Sequence, residues 1–334
     1  GGGGGEAGMN FIAGVSLAGS NNTASGFEAQ FAIGGSGAEG GDGGAARVTN
    51  YSDIVTQKDN SHGILSQSIG GGGGNANLNL AVTYEGKNDK NMSFNLAVGG
   101  GTGKGGDGST SDVVSVGNIE TSGKDSFGIL SQSIGGGGGN TEMSMAISPF
   151  SGNGGSLGVS IGRRGGTGGI GGDVSLSSTG NVITHGDGSF GMLAQSVGAG
   201  GGNSSSTSVS ASAAQENKDQ PAESASLSVG LEGGVGGKAG RVDLDAQGWV
   251  ITEGENAHAI FAQSIGGGGG NGGSANTFGI WNAPSLALSV GGTGGTGGTG
   301  GAVDVASSAQ VRTYGDGSLG ILAQSIGGGG GTGG

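Results

Sequence analysis

The chain has 334 residues, of which 91 are glycine and only 11% are charged, and its formal net charge is −13. Three prolines and no continuous Gly-X-Y period exclude collagen, and so few charges are untypical of a solvated disordered tail. The absence of a basic run argues against nucleic acid as a partner. No apolar stretch reaches the roughly 18 residues of a membrane-spanning helix. With no cysteine, disulfides and thiolate metal sites are excluded.

One octapeptide recurs along the chain. Gln-Ser-Ile-Gly-Gly-Gly-Gly-Gly occurs at 67–74, 132–139, 263–270 and 324–331, with a variant containing Ala199 at 195–202. The glutamines are 65, 63, 68 and 61 residues apart. Such a period predicts a repeat protein in which each unit packs on its neighbours. We therefore expect one continuous array, with units 1–69, 70–134, 135–197, 198–265 and 266–326, a partial unit 327–334, and a longer parent chain.

Each unit opens with a glycine tract and continues with two segments of alternating character. In the second unit these are 78–82 and 92–98, joined by a polar stretch at 85–90. Alternation with a period of two, bounded by turn residues, predicts a β-hairpin with one buried face.

A second glycine tract follows at 99–108, 162–172, 230–240 and 291–301, and the last of these is built from Gly-Gly-Thr triplets. Two interpretations stand. The tracts are flexible linkers, or they are extended polyproline-II-like segments that bond to parallel neighbours through N–H and C=O groups. The constant length of the first tract favours the second interpretation, which would turn the threonines toward solvent.

The last part of each unit contains two apolar columns, a column being the residues at one repeat position in successive units. β-Branched residues at alternate positions, with turns about every 8–12 residues, favour an all-β fold. Fixed columns at a fixed period favour a β-solenoid, or β-helix, interspersed with poly-Gly segments. The columns are Val48, Val113, Leu176, Leu244 and Val305, and Ile54, Ile119, Val182, Val250 and Val311.

Two polar columns are the most regular candidates for a site. The glutamines either form a ladder of side-chain amides along the stack or cap the backbone where strand passes into glycine, and both structural roles are favoured over ligand recognition. The columns are Gln67, Gln132, Gln195, Gln263 and Gln324, and Thr56, Thr121, Thr184, Thr252 and Thr313.

No catalytic, cofactor-binding or firm metal site is predicted. His62 and His258 share a column with phenylalanine and leucine, which indicates packing, and His185 is expected in an exposed turn. No Gly-Lys-Ser/Thr motif in P-loop spacing occurs. Three aspartates beside glycine are calcium candidates, with solvated turn residues as the alternative because no nine-residue calcium-roll period is present; they are Asp42, Asp107 and Asp173.

The string Thr-x-Gly-x-x-Ser-x-Gly-Ile-x-Ala-Gln-Ser-Ile followed by five glycines, at 313–331, resembles glycine-rich passenger repeats of large autotransporter-type adhesins of Gram-negative bacteria. The resemblance covers all five units. It implies an extracellular or outer-membrane-tethered β-helical stalk, exported through an outer-membrane β-barrel, with a role in adhesion, biofilm or aggregation.

We therefore predict a non-enzymatic stalk or fibre of a secreted or cell-surface protein, without cofactor and without a membrane span in this segment. Self-association into fibres or lateral bundles is the expected partnership. The alternative is an ice- or polysaccharide-binding module that uses a regular face; threonine triplets occur only at Thr293, Thr296 and Thr299.

Overall fold

A computed structural model describes residues 1–16, 27–85, 92–149, 154–213, 223–281 and 284–334. In these ranges every regular element is a β-strand, and no helix suited to crossing a membrane is found there.

The strands come in five sets of five. The first set is β1 (Asn10–Ser16), β2 (Phe27–Ile33), β3 (Ala46–Asn50), β4 (Ile54–Thr56) and β5 (Ile64–Ile69). The second is β6 (Asn79–Glu85), β7 (Met92–Val98), β8 (Ser111–Ser115), β9 (Ile119–Thr121) and β10 (Ile129–Ile134). The third is β11 (Ser144–Pro149), β12 (Gly155–Ile161), β13 (Val174–Ser178), β14 (Val182–Thr184) and β15 (Met192–Val197). The fourth is β16 (Thr207–Ala213), β17 (Ser224–Val229), β18 (Val242–Ala246), β19 (Trp249–Thr252) and β20 (Ile260–Ile265). The fifth is β21 (Ala275–Trp281), β22 (Ser285–Val290), β23 (Val303–Ser307), β24 (Gln310–Thr313) and β25 (Ile321–Ile326).

Each strand pairs only with its counterparts in neighbouring sets. The result is five parallel five-stranded sheets, here called sheets A to E in the order in which a unit visits them. The glutamines lie directly opposite one another in sheet E, as Gln132 does between Gln67 and Gln195. The predicted all-β repeat solenoid is confirmed.

Sheets C, D and E enclose the main hydrophobic core. Both predicted apolar columns lie in it, and Val113, Val182 and Val250 are completely buried. One unit supplies only a thin layer of this core. Stacking five layers removes these side chains from water, and that burial stabilises the stack.

Sheets A and B form a second lobe that contradicts the predicted hairpin. β6 and β7 do not pair with each other but belong to two facing parallel sheets; the stretch 86–91 between them lies outside the described residues. One face of each strand is buried, as expected, but the sequence did not indicate which face. Small residues such as Ala81, Ala97 and Ser93 are buried between the sheets, whereas the larger Phe94 and Leu96 point outward.

Inside this second lobe, side-chain hydrogen bonds accompany a small apolar cluster that consists mostly of alanines. Thr83 Oγ1 donates to Asn95 Oδ1 across the two sheets. Asn95 Nδ2 donates to Ser148 Oγ at 2.8 Å, and Ser160 Oγ donates to Ser144 O at 2.9 Å. These short polar side chains let the sheets face each other with few large residues between them, so the large residues of the alternating pattern must lie outside.

The two glycine tracts join the lobes and are hydrogen bonded with a period of three. At what we call the stacking position, the N–H donates to the same tract of the next unit, as from Gly73 to Gly137. At the bridging position it donates to the other tract, as from Gly106 to Gly71. The third, outward position faces solvent. Three residues per turn without internal hydrogen bonds is the geometry of polyproline II, so the ordered interpretation of the tracts describes the structure.

The bridging bonds form unbroken series through the whole stack. One series passes from Gly2 through Gly41, Gly71, Gly106, Gly136, Gly169, Ala199, Gly237, Gly267 and Gly298 to Gly328. Its N···O distances lie between 2.7 and 3.0 Å. A net hydrogen bond contributes about 0.5–1.5 kcal/mol, and ordering glycine costs about 0.5–1 kcal/mol more than ordering alanine. Bonding at two positions of every three therefore offsets the extra ordering cost.

Glycine favours the close approach of the two tracts. The described glycines with positive φ are Gly188, Gly248 and Gly317, all outside the tracts. A Cβ added at the bridging residue Gly139 would lie 2.1 Å from Gly74 O, whereas one at the outward Gly137 would meet nothing within 4 Å. Ala199 is a bridging residue that carries such a methyl, and its N–H reaches Gly169 O at 3.0 Å.

Threonines of the last tract occupy outward positions and are exposed, as expected. Their counterparts one unit earlier are Glu232, Val235 and Lys238. The carbonyl oxygens of both sets accept hydrogen bonds from N–H groups of the preceding unit. The row of three outward threonines is therefore not repeated in the preceding unit.

We predict opposite effects for alanine at two neighbouring tract positions. Gly139→Ala should lower the free energy of unfolding by about 1–3 kcal/mol, because the methyl meets a backbone carbonyl. Gly137→Ala should raise it by about 0.4–1 kcal/mol, because alanine restricts the unfolded chain and the outward site is open. Denaturant unfolding of both variants measures this, and equal effects would contradict the hydrogen-bonded arrangement.

Candidate functional site

The glutamine column forms a continuous amide ladder on the outer face of sheet E. Each Nε2 donates to the Oε1 of the next unit, from Gln67 to Gln132 and from Gln132 to Gln195 at 2.9 Å. The series continues to Gln263 at 2.8 Å and to Gln324 at 2.9 Å. Aligned amide dipoles strengthen one another along such a series. Of the two structural roles considered, the structure shows the ladder.

The threonine column fixes the turn that follows sheet D. The Oγ1 of Thr121, Thr184 and Thr252 donates at 2.6 Å to the backbone oxygen five residues later. These three side chains are completely buried. Each turn also contains a residue in the left-handed region, of a type that tolerates it; these residues are Asn60, Asp125, Gly188, Asn256 and Gly317.

A serine column ties these turns to one another. Ser126 Oγ accepts from Ser61 N at 3.0 Å, and Ser189 Oγ accepts from Ser126 N and donates to Gly123 O, both at 2.9 Å. The series is interrupted by Ala257. Ser189 N has no hydroxyl in the next unit and donates to Gly186 O of its own turn at 3.3 Å.

Asparagine and aspartate side chains make a further set of links between units. Asn75 Oδ1 accepts from Asn140 N, and Asn140 Oδ1 accepts from Asn203 N, both at 2.7 Å. The asparagines that close the first glycine tract thus link successive units. Sequence reasoning missed this role, although their fixed repeat position could have indicated it.

The calcium candidates belong to this set of links. Asp42 Oδ1 accepts from Asp107 N at 2.8 Å, and Asp107 Oδ1 accepts from Ile170 N at 2.9 Å. Asp173 lies in another column, where it accepts from Arg241 N at 2.7 Å. The structure does not bring the three carboxylates together, and the described residues contain no group of acidic, histidine or cysteine side chains suited to a metal.

Two of the histidines lie at the ends of a stack of aromatic rings. His62 lies 4.9 Å from Phe127, Phe127 lies 5.2 Å from Phe190, and Phe190 lies 4.9 Å from His258, measured between ring centroids. His62 Nδ1 accepts from Phe127 N at 3.1 Å. The prediction of a packing role is confirmed for both.

His185 instead lies between two carboxylates from neighbouring units. Its Nδ1 is 2.7 Å from Glu253 Oε2, and its Nε2 is 3.0 Å from Glu120 Oε1. The hydrogen bond with Glu253 chiefly raises the pKa of His185, Glu120 raises it further, and partial burial opposes both. Glu253 occupies the repeat position of His185 in the next unit, so alignment of the units could have predicted that these two residues are neighbours.

A concavity with a volume of about 810 Å³ lies where the strands of sheet B begin. Met92, Leu157 and Leu286 line it, and Glu223 is the titratable residue of its lining. One carboxylate in an apolar hollow supplies neither an acid–base pair nor a nucleophile with its base.

Comparison with protein-family models, with curated proteins and with solved structures gave no match. The interpretation of the site therefore depends on its geometry. That geometry consists of side-chain ladders that connect one unit to the next.

We predict that filling the gap in the serine column stabilises the protein. Ala257→Ser should raise the free energy of unfolding by about 0.5–1.5 kcal/mol, because its hydroxyl can accept from Ser189 N and donate to Gly186 O. Thermal and denaturant unfolding measure the change.

The matched control for this prediction is Ala259→Ser. Ala259 is equally buried but lies in the apolar core, where a hydroxyl costs about 1–3 kcal/mol. Destabilisation by both serines would contradict the proposed column geometry.

We predict a pH-dependent contribution from His185. Because its pKa is raised in the folded state, its stabilisation is complete below the ordinary pKa of 6.5 and is lost as pH rises through the folded value. The side chain is one-third exposed, so the effect should stay below about 1 kcal/mol.

A titration of the His185 ring followed by NMR measures this pKa. Glu253→Gln should move it back toward 6.5, while Glu142→Gln, which is not among the causes of the shift, should leave it unchanged. An unchanged midpoint in Glu253→Gln would refute the assigned cause.

Proposed function

We propose that this chain is a non-enzymatic structural segment, a stalk or fibre, of a secreted or cell-surface bacterial protein of the adhesin type. The observation that carries the proposal is the in-register stacking of five units, in which the polar columns bond chiefly from unit to unit.

Structural regularity supports a mechanical role. Sheets A to E, the glycine tracts and the glutamine ladder all direct hydrogen bonds along the same axis. Adjacent units must therefore lose many parallel bonds together before they separate. A stack of this kind resists bending and local opening, which suits a spacer that holds something away from a surface.

The dimensions of the stack give the proposal a definite form. Five strands about 4.8 Å apart make a height of about 24 Å, whereas ten tract residues at about 3.1 Å extend about 31 Å across it. The segment is wider than it is high. A stalk built this way gains length only by adding many units, as expected in the very long repeat arrays that the sequence resembles.

Surface location and adhesion are proposed from the resemblance of 313–331 to autotransporter-type passenger repeats. The low charge fraction of 11% and the few lysine and arginine residues, 12 in total, suit an exposed protein that offers few sites to trypsin-like proteases. Antibodies against the chain should label intact cells that produce it; labelling only after permeabilisation would refute the location.

The stalk proposal is tested by doubling the array. A tandem duplication that joins Ile326 of one copy to Gly1 of the next keeps the tract register, because 327–331 and 1–5 have the same sequence. Electron microscopy should show a particle about 24 Å longer with an unchanged cross-section.

A duplication joined through a flexible Gly-Ser linker is the control and should give two separate particles. Two separate particles from the register-matched duplication as well would refute a continuous stalk.

A further inference from the structure

The outer face of sheet B is apolar in every unit. Phe27, Met92 and Leu286 are exposed over 71%, 61% and 70% of their surfaces. Side chains on this face lie in columns fixed by the strand register. Its most exposed members are Phe27, Phe31, Ile33, Met92, Leu286 and Leu288, and Val159 lies at its centre.

The outer face of sheet A differs from it. Its columns are apolar in the second and third units, at Leu80 and Val82 and at Met145 and Ile147. The fourth unit continues these columns with Ser208 and Ser210, and Asn276 follows Ser208 in the fifth. Apolar character is therefore not a general consequence of the two-sheet lobe. Only sheet B keeps it through all five units.

An uncovered face of this kind is unusual for a parallel sheet. Parallel sheets normally have both faces covered, and contiguous exposed apolar patches of several hundred Å² mark interaction sites. Sheet A covers the inner face of sheet B, and none of the described segments covers the outer face, as the exposure of Phe31 and Leu288 shows.

We propose that the outer face of sheet B is the interface through which two copies of this chain pair side by side. Five strands about 4.8 Å apart and six residues long give a flat area of about 500 Å² on each copy. Two such faces bury about 1,000 Å², the lower limit of a specific interface. The area thus reaches the minimum expected of a specific interface.

A second copy suits this face better than another occupant. A face without charged or hydrogen-bonding side chains offers no polar group for orienting a different protein, whereas a two-fold pair needs only one self-complementary patch. The net charge of −13 opposes binding to anionic lipid surfaces. Two regular flat sheets can interdigitate their side-chain rows at the usual sheet-to-sheet spacing of about 10 Å.

This inference rests on the proposed stalk role for its biological use, because lateral pairing would thicken and stiffen a stalk. Its test is independent of that role. A chain that stays monomeric while its duplicated array still doubles in height would refute the pairing and leave the stalk standing.

The experiment is sedimentation equilibrium of the 334-residue chain with a charge placed at the centre of the face. The unmodified chain should sediment with twice its monomer mass of 31.1 kDa. Val159→Lys should raise the dissociation constant at least about 100-fold, because pairing would bury two like charges. Ser210→Lys, at a half-buried position on the outer face of sheet A, should leave the dimer intact.

Circular dichroism checks that each variant folds. If Val159→Lys does not fold, it is replaced by Val159→Thr, which keeps a β-branched side chain. A monomeric unmodified chain, or a dimer that Val159→Lys and Val159→Thr do not weaken, would overturn the proposal. Flotation of the monomeric chain with phosphatidylcholine vesicles, abolished by Val159→Lys, would overturn it in favour of a lipid surface.

Discussion

The bridging hydrogen bonds between the two glycine tracts are the constraint on which the rest of this structure depends. Gly106 can donate to Gly71, and Gly136 to Gly106, only if both tracts stay in phase through every unit. A methyl at Gly139 would lie 2.1 Å from a carbonyl oxygen, so contact at this range favours glycine, although the bridging residue Ala199 carries a methyl. Insertions are then excluded from the tracts and fall elsewhere, which explains why unit length varies while the tract register does not.

The two lobes differ in the interactions that hold successive units together. Sheets C to E use apolar layers in which Val113, Leu176 and Leu244 succeed one another. Sheets A and B use small buried residues and cross-sheet hydrogen bonds such as that of Asn95 with Ser148. The second solution leaves large side chains outside, and it makes sheet B an apolar surface on a protein whose net charge is −13.

Periodicity allowed much of this to be predicted. Columns such as Val182 and Val250, the packing of His62 and the order of the glycine tracts all follow from the repeat. Which face of the strands in sheets A and B is buried could not be predicted. A period of two indicates that one face is buried but does not indicate which. Ser93 and Ala97 alternate with Phe94 and Leu96 as regularly as a normal amphipathic strand does. The pairing of Glu120 with His185 was missed because it joins diagonal positions of neighbouring units.

The outward position of each tract triplet can carry different side chains while the backbone hydrogen bonds of the tract stay the same. Lys104, Thr167 and Val235 differ in charge and size, yet the carbonyl oxygen of each accepts a hydrogen bond from a glycine N–H of the preceding unit. Outward positions recur about 9 Å apart along a tract and about 4.8 Å apart between units. Apart from the asparagines and aspartates that link units, they form a grid of replaceable side chains on a fixed support, so such a surface can change its chemistry one residue at a time without disturbing the bonds beneath it.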